Sequence, residues 1–245
     1  MPTGIRKFGL IGYPLSHSFS PDYFKQKFSS EAISGCRYDA YPLSGADEVK
    51  MLLNDPEMCG LNVTIPYKQS IIPFLDGLSP EAREMGAVNT LVRENHAWIG
   101  YNTDVIGFRE TLPIIPDPTK KALILGTGGA SLAVEFVFKQ LGIRVIKVSR
   151  IRKKDILNYQ DLSKEIIESA QHIVNTTPLG MFPNVSDCPD VPYEWINPNH
   201  ICYDLIYNPA ETMFMTRAQN QGARVLNGYK MLIAQAEASW KLWNP

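Results

Sequence analysis

Short apolar runs and amphipathic stretches alternate along the chain, which predicts alternating strands and helices. In the first half, strand-like runs lie at 7–12, 37–43, 59–63, 88–93 and 97–101. Helical spacing of apolar residues occurs at 21–30, 46–53 and 69–75. The last two strand-like runs flank a short polar turn and indicate a hairpin, so parallel and antiparallel signals occur together. This half therefore predicts a mixed sheet covered by helices.

The second half has a more regular rhythm. Strand-like runs lie at 122–125, 144–148, 173–174 and 201–203, and helical ones at 105–112, 131–141, 213–221 and 230–242. The run at 122–125 is apolar throughout, as expected of a parallel sheet that is buried on both faces. The pattern predicts a doubly wound, Rossmann-like sheet. Pro113, Pro116 and Pro118 precede it and predict a domain boundary, because proline ends helices and stiffens linkers.

Composition and charge narrow the class of protein. The 245-residue chain is 44% hydrophobic and 20% charged with a formal net charge of −1, so it lacks the basic character of a nucleic-acid-binding protein. Its four cysteines are scattered, without the spacing of a zinc site or a disulfide framework, and fit a reducing cytoplasm. No apolar run has the length of a signal peptide or a membrane span. We expect a cytoplasmic monomer or homodimer without metal, nucleic-acid or membrane partners.

A glycine-rich turn follows the first strand of the second half. Gly126 permits a tight turn, and Gly128 lets backbone N–H groups approach a pyrophosphate at the positive end of the next helix. Gly129 and Ala130 continue the small-residue segment, and Ser131 takes the third position of the fingerprint. With a strand before it and a helix after it, the turn predicts a dinucleotide site.

The segment after the next strand predicts which dinucleotide binds. An NAD enzyme places an acidic residue there, about twenty residues after the turn, to accept a hydrogen bond from the ribose. This chain instead has Ser149 and Arg150, followed by further basic residues. Because a guanidinium can pair with a 2′-phosphate, we predict NADP. The alternative is that the basic run is a solvated turn.

Several short polar side chains in the first half predict a pocket for a hydroxylated ligand. Ser18 and Ser20 alternate in a loop and can meet one anion, although Ser20 could also cap a helix that begins at Pro21. Further hydrogen-bonding side chains beside glycine or proline are Asn62, Thr64, Asn89 and Asn102. Convergence of several such groups is what recognition of a polyol requires.

Lys68 and Asp104 end two of these polar phrases and are the candidates for proton transfer. Hydride transfer to or from a secondary alcohol needs an acid or base for the hydroxyl proton. A lysine suits this role when desolvation lowers its pKa, and a nearby carboxylate orients it. The alternative for the two residues is a structural ion pair or two surface charges.

Taken in order, these phrases resemble the shikimate dehydrogenase family, and the resemblance runs nearly from end to end. The segments that carry it are Asn62–Lys68, Gly86–Thr90, Gly100–Asp104, Asn175–Met181, Asp204–Pro209 and Gly228–Gln235. The resemblance implies an α/β architecture of two domains with the active site in the cleft between them. Residues 1–104, joined by about 232–245, would bind the substrate, and residues 105–231 would form a Rossmann-like NADP-binding domain.

The family's activity is the reversible, NADPH-dependent reduction of 3-dehydroshikimate to shikimate in aromatic amino acid biosynthesis. By resemblance, Lys68 and Asp104 are catalytic. The implied substrate residues are Ser18, Ser20, Asn62, Thr64, Lys68, Asn89, Asp104, Tyr207 and Gln235. The implied cofactor residues are Gly126, Gly128, Gly129, Ala130, Ser149, Arg150, Thr176, Thr177, Leu205 and Gly228.

The chain departs from the family pattern at two places. Phe24 and Lys25 stand where the family often has His-Asn, which should affect packing more than chemistry. The usual Asn-Arg-Thr cofactor segment reads Ser149-Arg150-Ile151, which keeps the phosphate contact but alters the adenosine contacts. Two alternatives remain open: a dehydrogenase that also accepts quinate, and a non-catalytic ligand sensor on the same fold. The intact serine pair favours shikimate, and an intact Lys68 and Asp104 argue against a sensor.

Overall fold

The chain forms two compact α/β units in a computed structural model that describes residues 5–16, 18–113, 117 and 119–245. His17, Pro116 and Pro118 lie outside the described residues. The first unit extends to Thr103 and also includes the C-terminal residues Ala236–Pro245, called the returning segment below. The second unit is Asp104–Gln235. The boundaries expected from the sequence differ by assigning residue 104 and residues 232–235 to the first unit.

Among its described residues, the part of the first unit that runs to Thr103 contains a six-stranded sheet and three α-helices. Its strands are β1 (Arg6–Gly12), β2 (Cys36–Pro42), β3 (Met58–Val63), β4 (Gly77–Leu78), β5 (Thr90–Glu94) and β6 (Ala97–Tyr101). Its helices are α1 (Phe19–Ser30), α2 (Val49–Leu53) and α3 (Pro80–Met85). The strand order is β2-β1-β3-β5-β6-β4, with antiparallel pairing of β5 to both its neighbours and parallel pairing elsewhere. The predicted mixed sheet is therefore confirmed.

The hairpin of β5 and β6 turns on two residues, Asn95 and His96. Both have positive φ, at 47° and 70°, and Glu94 pairs with Ala97. Two consecutive positive φ angles give the turn the twist that a two-residue hairpin needs, and asparagine tolerates this conformation well. The predicted hairpin is confirmed.

Two helical segments differ from what the periodicity of apolar residues predicts. The predicted helix at 69–75 is wrong, because the segment forms turns and a short 3₁₀ helix at Ile72–Phe74. Pro73 lacks an N–H and disfavours the α conformation of Ile72 before it. Helix α3 was not predicted although its ends are marked in the sequence. The Ser79 hydroxyl accepts from the Ala82 N–H at 3.2 Å, and Gly86 ends the helix with a φ of 66°.

The second unit contains a parallel six-stranded sheet. Its strands are β7 (Lys121–Leu125), β8 (Arg144–Ser149), β9 (Ile156–Asn158), β10 (Ala170–Asn175), β11 (Ile201–Asp204) and β12 (Arg224–Leu226). The helices of this half are α4 (Asp104–Thr111), α5 (Gly129–Gln140), α6 (Lys164–Ser169), α7 (Met213–Asn220) and α8 (Tyr229–Trp243), the last of which ends in the returning segment of the first unit. No helix among the described residues is long and apolar enough to cross a membrane.

The strand order β12-β11-β10-β7-β8-β9 confirms the predicted doubly wound sheet. The order reverses between β7 and β10, and in such sheets ligands bind at the carboxyl ends of the strands where the reversal occurs. Both Gly126, directly after β7, and Thr176, directly after β10, lie at this edge. The sequence did not predict β9, β12 or α6, since segments of three to six residues carry too few repeats for a periodic pattern.

The returning segment is held to the first sheet by Trp243. Its Nε1 donates to the Leu91 carbonyl oxygen at 3.0 Å, and its ring packs against Phe8 with a centroid distance of 5.0 Å. Gly60 leaves the space for this indole, since a Cβ there would lie 2.1 Å from Trp243 Nε1. Phe24, at the first position that departs from the family pattern, is fully buried in the same core.

Candidate active site

The serine loop enters α1 earlier than expected. The helix begins at Phe19, so Ser18 occupies the N-cap position and Ser20 lies within the first turn. A capping role for Ser20 is therefore wrong. The helix can begin before Pro21 because the first N–H groups of a helix have no intrahelical acceptor, and proline lacks only such a group. Ser20 is 7% exposed and hydrogen-bonds to Tyr38, whereas Ser18 is half-buried.

The turn after β3 carries Lys68 and is fixed by backbone hydrogen bonds. The Thr64 N–H donates to the Ile11 carbonyl oxygen at 2.9 Å, and the Thr64 carbonyl accepts from the Tyr67 N–H at 2.9 Å. The Lys68 carbonyl accepts from the Val88 N–H at 2.8 Å. Tyr67 is buried beside the half-buried Lys68. The main chain under the predicted acid/base group is thus tied both to β1 and to the segment before β5.

The Asn62 amide is part of a buried set of hydrogen bonds. Its Oδ1 accepts from Tyr38 Oη at 2.8 Å, while its Nδ2 donates to the Asn89 carbonyl and to the Thr90 hydroxyl, each at 3.3 Å. Asn62 is only 4% exposed. These bonds connect β2, β3 and β5. Because Tyr38 also hydrogen-bonds to Ser20, they link Ser20 to Asn89 and Thr90. Direct contact of Asn62 with a substrate stays a prediction.

Two further asparagines join the turns that flank the hairpin. Asn89 is 2% exposed, and its Oδ1 accepts from the Thr103 N–H at 2.7 Å. Asn102 Nδ2 donates to the Ala87 carbonyl oxygen at 3.0 Å. The segment before β5 is therefore locked to the segment after β6, and the predicted site residues of both segments share one rigid support.

The remaining predicted substrate residues lie in the second unit. Asp104 is the first residue of α4 and is 6% exposed, and a carboxylate is electrostatically favoured in the first turn of a helix. Gln235 is 8% exposed, with its Nε2 donating to the Leu232 carbonyl at 2.9 Å. Tyr207 is half-buried in the segment after β11. Asp104 and Gln235 are thus buried and Tyr207 is half-buried, and the role of each toward a substrate stays a prediction.

The glycine-rich turn has the geometry that a pyrophosphate needs. Gly126 has a φ of 111°, and a Cβ there would lie 2.6 Å from Thr176 Oγ1. Helix α5 begins at Gly129, two residues earlier than predicted, with Gly128 at its N-cap. A Cβ on Gly128 would meet no described atom within 4 Å, so the space before the helix is open. The N-terminus of this helix, with small residues in its first turn, therefore fits an anionic group.

Gly228 serves close packing at the same edge of the sheet. A Cβ there would lie 2.0 Å from the Leu205 carbonyl oxygen, so only glycine fits. The Gly228 N–H donates to the Ile206 carbonyl at 2.9 Å, and the Leu205 N–H donates to the Asn175 carbonyl at 3.0 Å. These contacts hold the segments after β10, β11 and β12 together beside the glycine-rich turn.

The two arginines of the basic segment after β8, Arg150 and Arg152, differ in their contacts. The Ser149 hydroxyl accepts from the Ile151 N–H at 3.3 Å, and Asn158 Nδ2 donates to the Arg150 carbonyl at 2.7 Å. Arg152 forms an ion pair with Asp161 at 2.6 Å. Arg150 is exposed on a turn that Ser149 and Asn158 hold in place. Of these two arginines, Arg150 is therefore the better candidate for a phosphate contact.

Sequence reasoning gave no role to a buried carboxylate at the end of β11. Asp204 is 0% exposed; its Oδ1 accepts from Asn175 Nδ2 at 3.1 Å and from the Ile206 N–H at 3.0 Å, and its Oδ2 accepts from the Thr212 hydroxyl at 2.6 Å. Burial raises the pKa of Asp204 to about 6, although the three donors oppose the shift. The available signal was the pair Asn175 and Asp204, which end two neighbouring apolar strands.

This carboxylate orients the loop after β10. Because Asp204 takes the Nδ2 of Asn175, the Oδ1 of that amide faces the Thr177 N–H at 3.0 Å and the Thr177 hydroxyl at 2.7 Å. Thr176 is fixed separately, since its hydroxyl donates to the Leu125 carbonyl at 2.7 Å. Both predicted cofactor threonines are thus held rigidly at the carboxyl ends of the strands.

We expect Asp204 to shape the pH dependence of stability. Folding raises its pKa from 3.8 to about 6, so the associated stabilisation is complete below the lower pKa and is lost as pH rises through the higher one. The free energy of unfolding, measured with urea at several pH values, should therefore decline less with rising pH in Asp204→Asn than in the wild type. The difference should be roughly 1–3 kcal/mol between pH 3.8 and about pH 6. Asp190→Asn, a change at an exposed carboxylate of the same unit, should keep the wild-type slope. A wild-type slope for Asp204→Asn would contradict the assignment.

Comparison with known proteins adds a family to this geometry. A family model described as the shikimate dehydrogenase substrate binding domain matches residues 10–91. The shikimate dehydrogenase (NADP(+)) of Desulforamulus reducens is 35% identical in a match that covers 96% of this chain and 88% of that protein.

Solved structures agree over a similar length. Shikimate 5-dehydrogenase from Thermus thermophilus, in complex with NADP(H) and shikimate, has a TM-score of 0.84 at 30% identity and covers 97% of this chain and 93% of its own. Quinate dehydrogenase from Corynebacterium glutamicum, in complex with NAD, has a TM-score of 0.82 at 25% identity with the same coverage of 97% and 93%. The similarity extends over both units.

Proposed function

The chain belongs to the shikimate dehydrogenase family, and we propose from this premise that it catalyses the reversible, NADPH-dependent reduction of 3-dehydroshikimate to shikimate. The observation that carries the proposal is the 35% identity to an NADP-dependent shikimate dehydrogenase over 96% of this chain. The reaction is an oxidoreduction at a CH–OH group, and its place is the biosynthesis of aromatic amino acids. The presence of both Lys68 and Asp104 supports an enzyme rather than a ligand sensor.

Lys68 is the proposed acid and base. When bound, NADPH supplies the hydride that reduces the ketone carbon of the substrate. Lys68 gives a proton to the carbonyl oxygen as it becomes a hydroxyl, and solvent then returns a proton to the amine. In the direction of oxidation, the neutral amine takes the hydroxyl proton. Asp104 accepts a hydrogen bond from a neighbouring ring hydroxyl, which fixes the ring relative to the reacting carbon.

The remaining substrate residues divide by the chemistry of the groups that they bind. Ser18 and Ser20 anchor the substrate carboxylate. The proposed contacts to the hydroxyl-bearing ring are Asn62, Thr64, Asn89, Tyr207 and Gln235. The hydrogen bonds that hold Asn62 and Asn89 support this assignment, because side chains with fixed orientations bind without a large loss of entropy.

The cofactor residues follow the carboxyl edge of the parallel sheet. Gly126, Gly128, Gly129 and Ala130 receive the pyrophosphate at the start of α5, where main-chain N–H groups and the helix dipole favour an anion. Thr176, Thr177, Leu205 and Gly228 surround the nicotinamide end. Ser149 and Arg150 contact the 2′-phosphate, which a guanidinium binds more strongly than a hydroxyl.

A second candidate is a dehydrogenase that also accepts quinate. The similarity to the quinate dehydrogenase of Corynebacterium glutamicum, with a TM-score of 0.82, keeps this candidate open. The preserved pair Ser18 and Ser20 favours shikimate, because relatives that accept quinate often change one serine of this pair. Substrate specificity therefore has to be measured.

The proposed function is tested by mixing the protein with shikimate or quinate, each with NADP or NAD, and following nicotinamide absorbance. We expect the fastest reduction with shikimate and NADP. Similar rates with quinate would establish the broader enzyme, and similar rates with NAD would overturn the role of Arg150. Binding of shikimate without turnover in any combination would favour a sensor.

Replacement Lys68→Ala should lower kcat by roughly 10²- to 10⁴-fold, because the transition state loses its proton donor or acceptor. The dissociation constant for shikimate, measured by calorimetry, should change little. Lys25→Ala removes an exposed lysine from α1 and serves as the matched control with wild-type kinetics. A variant Lys68→Ala that mainly raised KM would contradict the acid/base role.

Charge reversal Arg150→Glu should weaken NADPH much more than NADH, because only NADPH carries the 2′-phosphate. Loss of one charged hydrogen bond predicts roughly a tenfold or larger rise in KM for NADPH. Arg152→Glu is the control, since Arg152 already pairs with Asp161 and should affect both cofactors alike. Equal losses of NADPH and NADH affinity in Arg150→Glu would exclude a specific phosphate contact.

We also propose a cytoplasmic location and either a monomer or a homodimer. All four cysteines have free thiols, which supports a reducing compartment. Sedimentation of the purified protein measures the state of assembly directly.

A further inference from the structure

A fully buried serine on α8 lies at the centre of the polar network of the first unit. Ser239 is 0% exposed. Its Oγ lies 2.9 Å from Asn62 Nδ2, 2.8 Å from Thr90 Oγ1 and 3.1 Å from Thr103 Oγ1. Both threonines are also 0% exposed. A buried hydroxyl destabilises the fold unless it is hydrogen-bonded. These contacts therefore fix the position of Ser239 relative to Asn62, Thr90 and Thr103.

The two threonines carry the influence of this serine to Asn89. Thr90 Oγ1 lies 3.0 Å and Thr103 Oγ1 lies 3.1 Å from Asn89 Oδ1. A carbonyl oxygen can only accept, so each threonine that bonds to it donates its single proton there. Such a threonine can meet Ser239 only as an acceptor. Ser239 has a single hydroxyl proton and can donate it to one of the two threonines. It therefore helps to fix how the hydroxyl of that threonine is aimed at the Asn89 amide.

The same contacts fix which end of the Asn89 amide faces the network. The Thr103 N–H, which can only donate, lies 2.7 Å from this amide, so the atom facing it must be Oδ1. Turning the amide over would oppose an NH₂ group to that N–H. The Nδ2 group therefore occupies the other branch of the amide, so any hydrogen bond that the Asn89 side chain makes on that side is made by a donor rather than an acceptor.

The network also reaches the serine loop. Asn62 Nδ2 donates to Ser239, and Asn62 Oδ1 accepts from Tyr38, which hydrogen-bonds to Ser20. Ser239 is thus one bond from Asn62 and two bonds from Asn89. Ser20, a proposed contact to the substrate carboxylate, and Asn89, a proposed contact to a ring hydroxyl, are therefore connected through the buried Ser239 oxygen. Ser239 itself has no proposed contact to the substrate.

We propose that Ser239 is a positioning residue of the substrate site, whose hydroxyl holds the Asn89 amide with its Nδ2 presented as a hydrogen-bond donor to a substrate hydroxyl. The inference rests on the proposed function, because it takes shikimate as the ligand. It gives the returning C-terminal segment a part in substrate affinity in addition to its part in packing.

The first test compares steady-state constants of Ser239→Ala with those of the wild type. A loosened Asn89 weakens one hydrogen bond to the substrate, so KM for shikimate should rise about fivefold to tenfold. Values of kcat and of KM for NADP should stay within about twofold of the wild type, because proton transfer and cofactor contacts are untouched. Ser79→Ala is the matched control, a buried serine of the same unit that caps α3. It should lower the unfolding midpoint without changing KM for shikimate.

The second test separates positioning from general loosening by a double-mutant cycle with Asn89→Ala. If Ser239 acts through Asn89, Ser239→Ala should raise KM in the wild-type background and add nothing in the Asn89→Ala background. Additive effects, or no change of KM in the wild-type background, would overturn the proposal. If Ser239→Ala does not fold, Thr103→Val replaces it in the cycle, because valine keeps the shape and the N–H but removes the hydroxyl.

The wild-type measurement distinguishes the two levels of inference. Absence of shikimate turnover by the wild-type protein would overturn the proposed function and this inference together. Turnover by the wild type with an unchanged KM for Ser239→Ala would overturn only the role of Ser239.

Discussion

Polar atoms that are removed from water must be hydrogen-bonded within the protein, and this constraint organises both candidate sites. In the first unit, Asn62 and Asn89 lie within a buried network that leaves each amide a single orientation. In the second unit, Asp204 fixes Asn175, which in turn fixes Thr177. In both cases, buried side chains without a proposed ligand contact hold residues that have one: Tyr38 holds Asn62, and Asp204 holds Thr177 through Asn175. The orientation of the proposed contacts therefore depends on side chains to which no ligand contact is assigned.

The sequence predicted features that depend on neighbours along the chain. The hairpin at Asn95 and His96, the turn at Gly126 and the doubly wound order of the second sheet all follow from local turn chemistry and from runs of apolar residues. The helix expected at 69–75 from periodicity does not form, because Pro73 disfavours the α conformation there. Helix α3 is too short for a periodic pattern, although Ser79, Pro80 and Gly86 mark its ends.

The candidate site was predictable only in part. The family motifs nominate Lys68, Asn89, Asp104 and the glycines because these lie in recognisable phrases. Ser239 and Tyr38 stand in no such phrase, and they meet Asn62 from positions 177 and 24 residues away in the sequence. Hydrogen bonds over such separations leave no periodic trace, so they become visible only in the folded chain. The same is true of Gly60, whose missing side chain accommodates Trp243.

The contact of Trp243 with Gly60 has a consequence for the order of events during synthesis. Domains generally fold as units from the N-terminus while the ribosome is still extending the chain. Here the first sheet is translated first, yet the indole that fills the space over Gly60 emerges only after the whole second unit. Part of the apolar surface of the first unit therefore stays exposed until the C-terminal segment has been synthesised. The parallel sheet of the second unit, although it is translated later, can complete its core without such a delay.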